Sequence, residues 1–246
     1  SAGVTVRGGG DAGSRGAAAP TGMPVFRAYP PLQPSRGPET VAVGLMDIER
    51  RVREAAVGAG TAADAEEAAS RLVAVVTPKI HGSNLQLYYA PAAGADVVYG
   101  RRRAFLTPGT DHYGARGAGA TLELDAKLPA LLAYLTDTLK PQPRATAVTV
   151  YGEVYGGLYT HPEVAPTPAA TAAAAAAATK SRKPKPVQLE VLYAPDVRIV
   201  AFDVQLELVG GAARFLDFDE ARNACEHVGI PFIPPVMRGD VREVCA

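Results

Sequence analysis

An α+β fold of mostly antiparallel sheets is predicted by three observations. The chain from residue 71 onward is dominated by short β-rich runs, only a few helical patterns interrupt them, and no regular βαβ alternation links them. The β-rich runs fall at 71–76, 84–89, 96–99, 147–154, 187–193 and 198–208, with helical patterns at 128–139 and 218–228. Missing alternation disfavours a Rossmann-type parallel sheet, since each parallel crossover needs its own helix.

Taken in order, residues 1–24 are rich in Gly, Ala and Ser, carry Arg7 and Arg15 against the single acid Asp11, and show no apolar periodicity. They are read as a disordered tail, because such a segment has little apolar surface to bury. An acid-poor, Arg-containing leader also fits the remnant of a mitochondrial or chloroplast transit peptide, with a plain linker as the alternative. Residues 25–246 are read as one domain. Within it, 39–56 places Val43, Leu45, Met46, Ile48 and Val52 near one helical face. A Gly/Ala loop at 58–60 precedes a second helix at 62–72 with acids at its start. The stretch 164–186 is Pro/Ala/Thr-rich, includes the alanine run 172–178 and ends in Lys180, Arg182, Lys183 and Lys185. Lacking large side chains to pack, it reads as an inserted surface loop.

Bulk properties narrow the function classes. Lys plus Arg equals Asp plus Glu at 25 each, so no global positive field draws in nucleic acid and any polyanion contact is local. Cys225 and Cys245 are too few for a disulfide framework or a zinc site and fit a reducing, intracellular setting. The longest apolar run is polyalanine, too weakly hydrophobic for a membrane span.

Chemistry concentrates around Thr77-Pro78-Lys79-Ile80-His81-Gly82-Ser83-Asn84. A lysine between two β-rich runs suits a nucleophile if neighbouring cations or an apolar wall lower its pKa. Gly82 allows close backbone approach, while His81, Ser83 and Asn84 can hydrogen-bond phosphate or ribose oxygens. A Lys-x-x-Gly tetrapeptide is common by chance, so its downstream companions decide. Val98-Tyr99-Gly100-Arg101-Arg102-Arg103 offers guanidinium forks for phosphate. Tyr151-Gly152-Glu153 ends a strand with one acid among glycines, and Phe202-Asp203 offers an aromatic face beside a carboxylate. Alone, each has a bland reading: a solvated charge run, a strand-end acid, a core aromatic.

Together and in this order, these segments resemble motifs I, Ia, III and IIIa of the covalent nucleotidyltransferase superfamily, specifically the RNA ligase 2 and RNA-editing ligase family. Phe26-Arg27-Ala28-Tyr29 resembles the family's opening segment, and the text from Gly156 to Pro162 and from Phe215 to Pro234 is similar as well. The resemblance implies an ATP-grasp-like nucleotidyltransferase domain of two mostly antiparallel β-sheets flanked by helices, with ATP in the groove between them. It implies attack of Lys79 on the α-phosphorus of ATP, transfer of AMP to an RNA 5′-phosphate and sealing by a 3′-hydroxyl. Ile80, His81, Asn84, Arg102, Glu153 and Phe202 are the implied ATP-binding residues, with Asp203 and Arg101 as further candidates. Mg2+ or Mn2+ is the expected metal, no residue is assigned as its ligand, and His112, His161 and His227 are individually uninformative. The expected partners are nicked or bridged RNA ends, in repair or editing.

Two departures stand out. Pro78 occupies the place where the family commonly carries an acid. No Glu-Gly-x-Val or Lys-x-Lys motif follows Phe202-Asp203 before Ala246. The second departure leads to the expectation of a weak or inactive chain whose exposed sheet edges are covered by a partner subunit. A different class stays open beside the enzyme: an inactive ligase-like domain acting as an RNA-binding or structural subunit of a ribonucleoprotein.

Overall fold

The computed structural model describes residues 2–3, 26–29, 50, 54, 73–94, 96–157, 186–188, 190–191 and 193–240. In chain order the elements are β1 (Ala2–Gly3), β2 (Val73–Pro78), β3 (Ser83–Tyr89), β4 (Val98–Arg101), β5 (Ala104–Phe105), α1 (Ala115–Thr121), α2 (Leu124–Leu139), β6 (Ala145–Gly156), β7 (Val197–Leu208), β8 (Ala213–Phe215), α3 (Phe218–His227) and β9 (Met237–Asp240). No described helix is long and apolar enough to cross a membrane. The chain divides into two compact units.

The first unit comprises Ser1–Arg15, Pro30–Lys79 and Pro234–Ala246. It holds a three-stranded antiparallel sheet in the order β1-β2-β9. Within β2, Ala74 and Val76 alternate inward while Val73 is exposed, the period-two pattern of a strand with one buried face. Arg50 and Glu54, the described residues of the helix expected at 39–56, are both helical and pair at 2.7 Å across one turn. The helix expected at 62–72, the insertion up to residue 185 and all of the tail except Ala2–Gly3 lie outside the described residues.

The second unit, Gly16–Tyr29 with Ile80–Ile233, holds a six-stranded sheet in the order β5-β4-β3-β6-β7-β8, antiparallel at every step. Residues directly opposite in such a ladder share a face. Leu85, Leu87, Val148, Val150, Val154, Ile199, Val204 and Leu206 face one way and form a single core with all three helices. The dominant helix is α2, in which Leu124, Leu128, Leu131 and Leu135 are at most 1% exposed. Each contributes roughly 1.5–3 kcal/mol by burial. Four such leucines outweigh the roughly 3 kcal/mol that an interior proline costs, and α2 accordingly runs through Pro129 and begins a turn earlier than the expected 128. α3 starts on a reciprocal cap in which the Asp217 N–H donates to Glu220 Oε2 at 3.1 Å, and Arg214 holds that carboxylate at 2.8 Å.

Two expectations are corrected. The described residues of 187–193 form no strand. Single bonds replace a ladder there: the Val187 N–H donates to Gly156 O at 3.1 Å, the Gly157 N–H donates to Ala194 O at 3.0 Å, and Gln188 turns its side chain to another loop. Helix α1 was not expected, because its text, Ala-Arg-Gly-Ala-Gly-Ala-Thr, has two glycines and no apolar stripe. It forms by packing Ala115 and Gly119 against its neighbours.

Candidate active site

Lys79 is the last residue of the first unit, directly after β2, and its side chain is exposed. One peptide bond on, Ile80 begins the longer segment of the second unit and leads into β3. The loop between them is held by three side chains that the sequence did not single out as a set. Tyr193 Oη accepts from the His81 N–H at 3.0 Å, Gln188 Nε2 donates to Gly82 O at 3.0 Å, and His112 Nε2 lies 2.9 Å from Ser83 Oγ.

Gly82 is required by contact. A Cβ there would lie 2.5 Å from Val154 O and 3.0 Å from Glu153 Oε2, so the loop rests directly on the end of β6 and its carboxylate. Register extends this pairing, with Asn84 opposite Glu153. Asn84 Oδ1 is buried and has no hydrogen-bond partner among the described residues. A buried carbonyl oxygen without a donor is costly, and a ligand hydroxyl or amine at that point would relieve the cost.

Phe202 stands out through a bulge. Tyr151 pairs with Asp203 and Gly152 with Ala201, which leaves Phe202 as the extra residue of β7. Gly152 makes room for this, since a Cβ there would lie 2.5 Å from Val200 O. The Phe202 ring sits 5.1 Å from Tyr29, which also lies 5.0 Å from Tyr151 and 6.0 Å from Phe215. Tyr29 belongs to a strap, residues 26–29, laid along the sheet face opposite the helices. Arg27 O accepts from Gln86 Nε2 at 2.8 Å and from Tyr151 Oη at 3.1 Å, while the Arg27 guanidinium meets Glu207 at 2.9 Å and Gly211 O at 2.9 Å. Burial of Asp203, next to Phe202, pushes its carboxyl up to about 8, against the smaller effect of the Val204 N–H donating to it.

The three arginines separate. Arg101 ends β4 opposite Leu85, whereas Arg102 and Arg103 form the exposed β4–β5 turn. None of the three has an ion-pair partner among the described residues. Of the expected site residues of the second unit, Arg101, Asn84, Glu153 and Phe202 fall on the adjacent strands β4, β3, β6 and β7, with Asn84 and Glu153 in register, whereas Ile80 and His81 lie in the loop before β3 and Arg102 in the β4–β5 turn. His161 and Cys245 lie outside the described residues, and Cys225 is buried, its thiol raised to about 12 by desolvation. No cluster of three His, Cys, Asp or Glu side chains able to hold a metal occurs among the described residues. The described residues thus build no all-protein metal cage, and a divalent ion held by a nucleotide's phosphates would need only one or two carboxylates from the chain.

A family model described as RNA ligase matches residues 73–246. RNA-editing ligase 2, mitochondrial, of Trypanosoma brucei brucei (strain 927/4 GUTat10.1) is 27% identical over 181 residues, covering 70% of this chain and 40% of that protein. Two solved structures, both of an archaeal ATP-dependent RNA ligase, give TM-scores of 0.37 at 16% and 17% identity, covering 71% of this chain and 34% of theirs. The chain thus spans less than half the length of the relatives it matches.

Proposed function

Since the chain belongs to the RNA ligase family, we propose that it carries the ATP-binding, lysine-adenylylating site of an ATP-dependent RNA ligase. Lys79 is the nucleophile: its amine lone pair forms a bond to the α-phosphorus of ATP, the bond to the bridging oxygen breaks, pyrophosphate leaves with those electrons, and the nitrogen gives up its extra proton to solvent. The resulting lysyl-AMP passes its AMP to the 5′-phosphate of an RNA end, and a 3′-hydroxyl then displaces AMP to seal the strand. Asn84 and Glu153 hold the ribose, Arg102 grips phosphate with Arg101 as the alternative, Phe202 stacks on adenine, and Ile80 and His81 shape the loop at the nucleophile. The reaction takes Mg2+ or Mn2+ to offset charge on the triphosphate.

The observation that supports this reading best is the juxtaposition of Gly82, Asn84 and Glu153, with a buried Asn84 Oδ1 open to a donor such as a ribose hydroxyl. The exposed Lys79 side chain favours a second reading, an inactive ligase-like module that binds RNA in a larger assembly. One experiment decides between them. Incubation with ATP labelled at the α-phosphate and Mg2+ is expected to leave label on the protein in an alkali-stable, acid-labile linkage, discharged by 5′-phosphorylated RNA and absent in Lys79→Ala. No label on the wild type, with RNA binding intact, establishes the second reading.

A further inference from the structure

The edge of β3 changes partner just where the candidate site begins. β4 pairs with Leu85 through Tyr88 and stops at Arg101, so Ser83 and Asn84 continue past the last rung of that ladder. The imidazole of His112 occupies this side. Its Nε2 lies 2.9 Å from Ser83 Oγ, beside the Asn84 main chain, which bears on the ring's titration.

The loop that carries His112 is internally fixed. Asp111 Oδ1 accepts from the His112 N–H at 2.8 Å and from the Arg116 N–H at 3.1 Å, and Arg116 Nε donates to Thr110 O at 2.8 Å. Thr110 closes a turn onto Thr107 O through its N–H at 3.0 Å and its hydroxyl at 2.6 Å. Arg116 further lies over the Tyr99 ring at 4.8 Å, anchoring the loop to β4. His112 is therefore held from its own side as well as from β3.

We propose that His112 is a positioning residue for nucleotide binding, holding Ser83 and Asn84 in place of a ladder rung so that the Asn84 amide stays aimed at its ligand. This deepens the nucleotide-binding reading above and rests on it. The Ser83 hydroxyl can either donate to Nε2 or accept from it, so protonation need not break this bond, but it would put a second cation in a half-buried position near Arg101. Burial lowers the His112 pKa from its usual value most and Arg101 lowers it further, outweighing Asp111 and the Asn84 main chain, which pull the other way. Tyr113 packs edge-on to it at 4.9 Å. Protonation below the usual histidine range is therefore opposed by burial and by Arg101, and it is expected to loosen the packing of His112 on the end of β3 and, with it, ATP binding.

The test measures the KM for ATP in self-adenylylation of the full chain between pH 5 and 8. His112→Ala and Ser83→Ala are each expected to raise KM about tenfold, the worth of one lost hydrogen bond, with little change in the maximal rate. The double variant is expected to be no worse than either alone. His112→Asn keeps hydrogen-bonding capacity without a titrating group, so it should restore most of the affinity and flatten the acid-side rise in KM. Additive effects in the double variant, or an acid-side rise that persists in His112→Asn, would overturn the proposal. A wild type that takes up no label fails the ligase reading itself, and with it the proposal; a labelled wild type with His112 variants unchanged fails the positioning role alone.

Discussion

The two faces of the six-stranded sheet are made by alternate residues of the same strands, yet they obey different rules. On the helix-covered face Leu85, Leu87, Val148, Val150 and Leu206 pack into one apolar core. On the opposite face Gln86, Thr149, Gln205 and Glu207 are buried as polar groups among Tyr88, Ala147 and Tyr151, and the strap of residues 26–29 bonds Gln86, Tyr151 and Glu207. Burying polar groups stabilises only when every partner is supplied, so this second face has the more exacting chemistry and the weaker claim to stability for its own sake. The difference teaches that the fold is held by one face while the other is free to carry specific contacts.

Substitutions should separate the two faces, beginning with the core. Leu131→Ala, at a fully buried α2 position, is expected to cost roughly 2–5 kcal/mol in urea unfolding, and a cost below about 1 kcal/mol would mean that the helices are not the main cover. Asp203 tests the buried carboxylate by pH. Its folded pKa of about 8 lies above its unfolded value, so its contribution is complete below the unfolded pKa and is lost as pH rises through about 8. Stability should therefore fall between pH 4 and 8 by roughly 2–5 kcal/mol, a slope that Asp203→Asn removes. A wild-type profile flat over that range would contradict the burial.

On the strap side, Arg27→Ala leaves Glu207 buried without its 2.9 Å partner and should cost roughly 1–3 kcal/mol, readable as a lowered melting temperature. Asn84→Ala sits at the small end for stability, since its Oδ1 lacks a partner among the described residues. It should shift unfolding by less than about 1 kcal/mol while weakening ATP binding about tenfold in isothermal titration. Equal losses in both readouts would erase the distinction between the faces.

Much of this was legible in the sequence, for reasons that differ by element. Strands β3, β6 and β7 announced themselves because alternate positions are apolar over long runs, and α3 because an acid-rich start precedes its buried positions. Glu153 and Phe202 could be singled out because glycines and an aromatic-acid pair interrupt strand text. What stayed hidden depends on contacts between distant residues. Helix α1 has no periodicity to detect, and 187–193 alternates like a strand but spends its bonds singly on Gly156 and Gly82. His112 looked uninformative because nothing in its own loop indicates that the end of β3 lies 2.9 Å away. The bulge that leaves Phe202 unpaired is likewise set by register, which Gly152 permits but does not reveal.

The most direct test of the central claim is the location of AMP after the protein has met ATP and Mg2+. Peptide mapping by mass spectrometry should find the adenylyl group on the peptide containing Lys79 and on no other. AMP found on a different lysine, or a Lys79 peptide that stays unmodified while the protein seals RNA, would contradict the account.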